Sequence, residues 1–166
     1  MKKKKTVITI MCGLPRSGKS TWIKNNKRDA VIVSPDDIRK EVFGHQFHSP
    51  ANKFVFAIAE AMAILLIKQG KDVIIDATHM TESTRSQWVY ALKDIDCCIQ
   101  VVWVHTFKDI SKQMDVCLSR NSLSPKDEQL PVDVLKGFEM VFYPPNKVYG
   151  YDVVEYISRP RRKAKK

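Results

Sequence analysis

Eight residues near the start of the chain, Gly13-Leu14-Pro15-Arg16-Ser17-Gly18-Lys19-Ser20, constrain its fold more than any other feature. They follow a short apolar run, Val7 to Cys12, and open a segment of helical character, Lys19 to Asn26. An apolar run of six residues ending at glycine suits a central parallel strand covered on both faces. The Gly-x-x-x-x-Gly-Lys-Ser spacing then lets the backbone wrap tightly, so that successive N–H groups point inward at a helix N-terminus. Such a loop cradles phosphate. Lys19 supplies a cation to the β- and γ-phosphates, and the Ser20 hydroxyl is a ligand type for Mg²⁺. The motif therefore predicts a nucleoside-triphosphate site built from Gly13, Leu14, Pro15, Arg16, Ser17, Gly18, Lys19, Ser20 and Thr21.

The rest of the sequence repeats the same alternation. Val31 to Ser34, Val73 to Asp76 and Ile99 to Val104 read as further buried strands, and Val153 to Ile157 as a last one. Between them lie helical segments at Asp36 to Phe43, Pro50 to Gln69, Thr81 to Leu92, Asp109 to Ser119 and Pro131 to Tyr143. Strands alternating with helices of this length imply βαβ units, hence a three-layer α/β fold on a parallel sheet. The polar stretch Asn121 to Gln129, with Pro125 inside it, is the most loop-like interior piece and reads as a short lid.

A length of 166 residues with 44% hydrophobic content fits one domain. No run approaches the roughly 18 apolar residues of a membrane span, and no signal-type segment opens the chain, so a cytoplasmic protein without membrane contact is expected. The four cysteines, Cys12, Cys97, Cys98 and Cys117, lack zinc spacing and read as buried thiols. The formal net charge is +10. Lys2 to Lys5 together with Arg159, Arg161, Arg162, Lys163, Lys165 and Lys166 account for all of it. Residues 6–158 form a balanced body, and residues 1–5 and 159–166 are basic tails suited to a polyanion or to keeping the chain soluble.

Two strand ends carry further chemistry. Ligands of an open parallel sheet lie beyond the carboxyl ends of its strands, so Ser34-Pro35-Asp36-Asp37-Ile38-Arg39 faces the glycine loop's crevice. One aspartate there suits a general base and the other a helix cap, while Arg39, one turn on, suits an acceptor phosphate. Asp76, closing the third strand, suits a metal-side acid. His79 reads as an ordinary polar loop residue, Trp22, Trp88 and Trp103 as core, and Arg120 as a cation within reach of a polyphosphate.

The order of these motifs resembles the kinase domain of phage-type 5′-hydroxyl polynucleotide kinases. The likeness runs from about Val7 to Asp152, and Gly-Lys-Ser-Thr-Trp and Leu130-Pro131-Val132-Asp133-Val134-Leu135 are its most specific details. It implies an adenylate-kinase-like P-loop fold and transfer of the ATP γ-phosphate, with Mg²⁺, to a nucleic acid bearing a 5′-hydroxyl end. It also implies catalytic roles for Lys19, for Asp36 as the group that activates the hydroxyl, and for Arg39 on the acceptor phosphate. Nucleotide contacts fall on Arg120 and metal contacts on Ser20 and Asp76. Where the family has a second lid arginine this chain has Ser124, with Lys126 as the nearest basic substitute. A kinase of a small-molecule hydroxyl, and an NTP-bound module of weak catalytic power, are the competing readings.

Overall fold

The computed structural model describes residues 5–44 and 51–159. Five parallel strands form one sheet in the order β2-β3-β1-β4-β5: β1 Thr6–Cys12, β2 Val31–Val33, β3 Val73–Ile75, β4 Cys97–His105 and β5 Asp152–Ile157. β1 lies at the centre, with Ile10 opposite Ile75 of β3 and Cys12 opposite Trp103 of β4. The loop after it therefore emerges mid-sheet, at the carboxyl edge. Around the sheet pack α1 Lys19–Asn26, α2 Pro35–Phe43, α3 Asn52–Lys68, α4 Glu82–Ala91, α5 Ile110–Ser122 and α6 Val132–Val141. Every expected strand and helix is present, with ends moved by a few residues.

Strand alternation sends neighbouring side chains to opposite layers. Ile8, Ile10 and Cys12 join Val33, Val73, Ile75 and Val101 against α3 and α4, whereas Met11, Ile74, Val102 and Val104 pack with Ile23 of α1. On α3 the buried residues Val55, Ala59, Ala63 and Ile67 recur every four positions, one stripe of a helix. A third cluster, Leu14 with Met114, Cys117 and Leu135, fastens α5 and α6 to the phosphate-type loop. Trp88 and Trp103 are buried and Trp22 is half-buried against α1's layer, as core aromatics should be.

Four local expectations change. The helix cap at α2 is the Ser34 hydroxyl, which accepts from the Asp37 amide at 3.1 Å, so neither aspartate performs that task. Asn121 and Ser122 belong to α5, and buried Asn121 staples the following segment by bonding both the carbonyl and the amide of Leu130. The lid is thereby shortened to a loop around one 3₁₀ turn, Lys126–Glu128. Cys98 is exposed and Cys97 half-buried, because β4 starts at the sheet's amino-terminal rim and is fully covered only from Val101 onward. Lys5 is tied to the body through an ion pair with Asp96 at 2.6 Å. Lys2 to Lys4 and the tail beyond Arg159, like Pro50, lie outside the described residues. Among the described residues no helix is long and apolar enough to cross a membrane.

Candidate nucleotide and acceptor site

Gly13 and Gly18 take φ of 147° and 114°, left-handed conformations that a side chain opposes. A Cβ on Gly13 would stand 2.6 Å from the Val104 carbonyl oxygen and 2.8 Å from Ser17 Oγ. Only glycine fits there. With the loop closed in this way, α1 begins at Lys19, and its ammonium donates to the carbonyls of Gly13 (3.0 Å) and Leu14 (2.9 Å). Burial lowers the Lys19 pKa, and the carboxylates of Asp76 and, more weakly, Asp36 oppose that shift.

A cavity of about 1300 Å³ opens over this loop. Its floor is Gly18 to Thr21, and its walls come from the segment after α5 and from Tyr156 to Arg159 at the end of β5. Pro15 and Arg16 also line it; Leu14 turns the other way into the α5–α6 core, and Ser17 is buried under the loop. Arg16 has a φ of 65°, which costs about 1–2 kcal/mol for a residue with a Cβ. Its guanidinium donates to the Glu128 carbonyl, joining the loop to the lid turn. Asp127 and Glu128 line the cavity, whereas Lys126 of the same turn is not among the lining residues.

Arg120 lines the cavity too, but its guanidinium is committed to the protein. Nη1 donates to the carbonyls of Arg16 (3.0 Å) and Ser17 (2.7 Å), and Nη2 to the Arg159 carbonyl at 3.1 Å. Both nitrogens reach Ser158 Oγ, which in turn donates to the Ser17 carbonyl at 2.8 Å. Arg120 and Ser158 thus brace the loop from behind. A planar five-donor fork suits that geometry. Ser158 had no motif to announce it.

At the neighbouring strand ends stand Asp36, Asp37 and Asp76. Asp36 is exposed on the first turn of α2, and the 4%-exposed Arg39 donates to its carboxylate through Nη1. Arg39 Nη2 donates to Asn52 Oδ1 at 2.8 Å, which links α2 to α3. Arg39 is therefore packed against Asp36 and Asn52 and turned little toward solvent. Burial raises the Asp76 pKa, Lys19 pulls it back, and Asp36 and Asp37 add to the rise. The three carboxylates and Lys19 thus share one electrostatic neighbourhood. Among the described residues no three His, Cys, Asp or Glu side chains gather closely enough to cage a metal. Mg²⁺ takes one or two protein ligands and completes its shell with phosphate and water. Ser20, exposed at the start of α1, and Asp76 are the residues fit to contribute.

The strand-end loop after Asp76 is held by a residue assigned a lesser part by sequence. His79 is 3% exposed, with Nδ1 2.9 Å from the Met11 carbonyl and Nε2 accepting from Trp88 Nε1 at 2.9 Å. The tautomer follows: the proton sits on Nδ1. Burial drives the His79 pKa down to about 4. Beneath it, Arg85 is fully buried and donates to the His79 carbonyl (2.8 Å), to Glu82 Oε2 and to Tyr151 Oη. The Gly13 amide donates to the Thr78 carbonyl at 3.0 Å, so this network fixes the loop after β3 against the phosphate-type loop. A sequence signal for Arg85 existed: residues 85, 88 and 92 share one helical face, and the other two are Trp88 and Leu92.

A family model described as an AAA domain matches residues 8–145. The bifunctional polynucleotide phosphatase/kinase of Schizosaccharomyces pombe is 22% identical over 150 residues, which is 90% of this chain and 33% of that protein. The solved Pnkp1/Rnl/Hen1 RNA repair complex contains a chain that superposes with a TM-score of 0.64 and 26% identity, over 82% of this chain and 43% of that one. A putative kinase from Chloroflexus aurantiacus superposes with a TM-score of 0.66 at 13% identity, covering 92% and 88%, and shares the fold. The chain spans about a third to two-fifths of the length of the first two.

Proposed function

This chain belongs to the AAA domain family, and on that footing we propose that it transfers the γ-phosphoryl group of ATP to the 5′-hydroxyl of a polynucleotide. The coarser part of that reading, a P-loop domain of kinase type, comes with the family and the fold. The single observation that supports the finer part is Asp36: an exposed carboxylate held by buried Arg39 and near enough to Lys19 to act on its charge. An exposed carboxylate at a strand end on the loop's side of the sheet is open to an acceptor arriving from solvent.

In this reading the acceptor oxygen attacks the γ-phosphorus, its proton passes to the Asp36 carboxylate, and the bond to the β-phosphate oxygen breaks, leaving ADP. Lys19 and the backbone amides at the start of α1 offset the charge that gathers on the transferred group. Ser20 and Asp76 would hold Mg²⁺, which when bound supplies further positive charge to the β- and γ-phosphates. Arg39 orients Asp36 through its Nη1 bond. Arg120 acts through the loop, by fixing the carbonyls of Arg16 and Ser17 so that the amides of the same turn face the cavity. The 22% identity to a polynucleotide phosphatase/kinase is in keeping with this reading.

The test is an acceptor panel. Incubation with γ-labelled ATP and Mg²⁺ should label 5′-hydroxyl oligonucleotides far better than nucleosides, sugars or small alcohols. Equal or better labelling of a small alcohol would make a small-molecule kinase the better reading.

A further inference from the structure

A second depression lies apart from the nucleotide cavity, between α3 and α4, with a volume of about 830 Å³. Asn52 and Lys53 stand at one end of its α3 wall and Phe56 and Glu60 follow; Gln87 and Tyr90 come from α4. Two facts connect it with the proposed chemistry. Asn52 Oδ1 accepts from Arg39, and Arg39 holds Asp36, so the groove begins two side chains from the proposed base. Phe56 is fixed edge-on against His79, with ring centres 6.5 Å apart, in the loop that follows Asp76. The groove thus touches the elements that carry the proposed base and shares no lining residue with the triphosphate cavity.

Its chemistry is that of a stacking platform. Tyr90 is 72% exposed, a large aromatic that the fold does not use for packing, and Lys93 Nζ sits 4.6 Å from its ring centre. Phe56, half-buried, offers a second ring on the facing helix, and Lys53 a cation at the end nearest Arg39. Aromatic faces with interspersed cations hold single-stranded nucleic acid with little sequence preference, because every base has a π-face. From Asn52 to Glu60 the α3 wall runs about 12 Å, room for about three stacked bases.

We infer that this α3–α4 groove binds the acceptor strand just beyond its reacting nucleotide, with bases stacked on Tyr90 and Phe56. The inference rests on the polynucleotide reading above and names where that strand runs. The experiment compares kcat/KM for a 5′-hydroxyl octanucleotide with kcat/KM for a nucleoside 3′-monophosphate, together with fluorescence anisotropy of a 3′-labelled octanucleotide. Tyr90→Ala should lower the octanucleotide-to-monophosphate ratio and the octanucleotide affinity about tenfold, and Tyr90→Phe should restore both. The exposed position makes misfolding an unsuitable explanation, and unchanged melting of the variants checks it. If the octanucleotide is phosphorylated by all three proteins with one ratio, the groove assignment is overturned and the kinase reading stands. If it binds in a Tyr90-dependent way but accepts no phosphate, the groove assignment stands and the kinase reading falls. A Tyr90→Ala effect on a small alcohol acceptor, with none on the octanucleotide, would give the groove to a small molecule and overturn the inference.

Discussion

On the donor side of the crevice the geometry is written into the backbone: glycines at 13 and 18, the turn they permit, and a helix starting at Lys19. On the proposed acceptor side it depends on side chains from three separate elements, Asp36 and Arg39 on α2, Asn52 on α3 and Asp76 after β3. A backbone device tolerates few sequences and is contiguous. A side-chain device can be assembled from many sequences and is scattered. Substitutions on the two sides should accordingly fail differently, the donor side losing nucleotide chemistry or loop order and the acceptor side losing only the step that needs its carboxylate.

The largest expected effect is at Lys19. Lys19→Ala removes the cation proposed to stabilise the transferred phosphate and should lower turnover by about 10²–10³ or more. Melting should move little, since the ammonium contributes only its contacts with the Gly13 and Leu14 carbonyls. Calorimetric unfolding and phosphoryl-transfer rates check the pair. Arg120→Ala should behave as a backbone failure, leaving the Arg16 carbonyl without its side-chain donor, the Ser17 carbonyl with only that of Ser158, and the Arg159 carbonyl without the Nη2 bond. A loss of about 3 kcal/mol is expected, or roughly 6–12 °C in Tm, with weakened ATP binding. Arg120→Lys should restore little of it, because one ammonium cannot replace the fork.

His79 gives a pH signature for the acceptor-side loop. Its folded pKa, about 4, is below the ordinary 6.5, so its contribution is complete above pH 6.5 and is lost as pH falls toward 4. The full amount is about 3 kcal/mol. Urea unfolding at a series of pH values should show that decline in the wild type and a flatter profile in His79→Gln. Identical slopes would mean that the imidazole is not the group being protonated. The smallest effect belongs to Ser34→Ala, about 1 kcal/mol through the lost cap on the Asp37 amide, while Asp37→Asn should be close to neutral in stability.

The same contrast explains what could be read before the fold was known. Gly13 to Ser20 needed no partner to be recognised, and strand–helix alternation was enough for the parallel sheet with β1 at its centre. His79 was misjudged because its role depends on Trp88, nine residues along, and on Met11 in another strand. Arg120 looks like a free cation in sequence, since the carbonyls it braces lie more than a hundred residues earlier. Asn121 hides inside a polar stretch, and only the pair of bonds to Leu130 shows that it closes the lid segment. Backbone satisfaction at a distance leaves no local pattern.

On the proposed function, phosphate binding and hydroxyl activation are carried by separate devices, one built around Lys19 and the other around Asp36. Measuring ATP dissociation constants and single-turnover transfer to a 5′-hydroxyl oligonucleotide for Asp36→Asn beside the wild type tests it directly. The prediction is a transfer rate lower by about 10²-fold or more with ATP affinity nearly unchanged. A transfer rate close to that of the wild type, or a loss accounted for by ATP affinity, would contradict it.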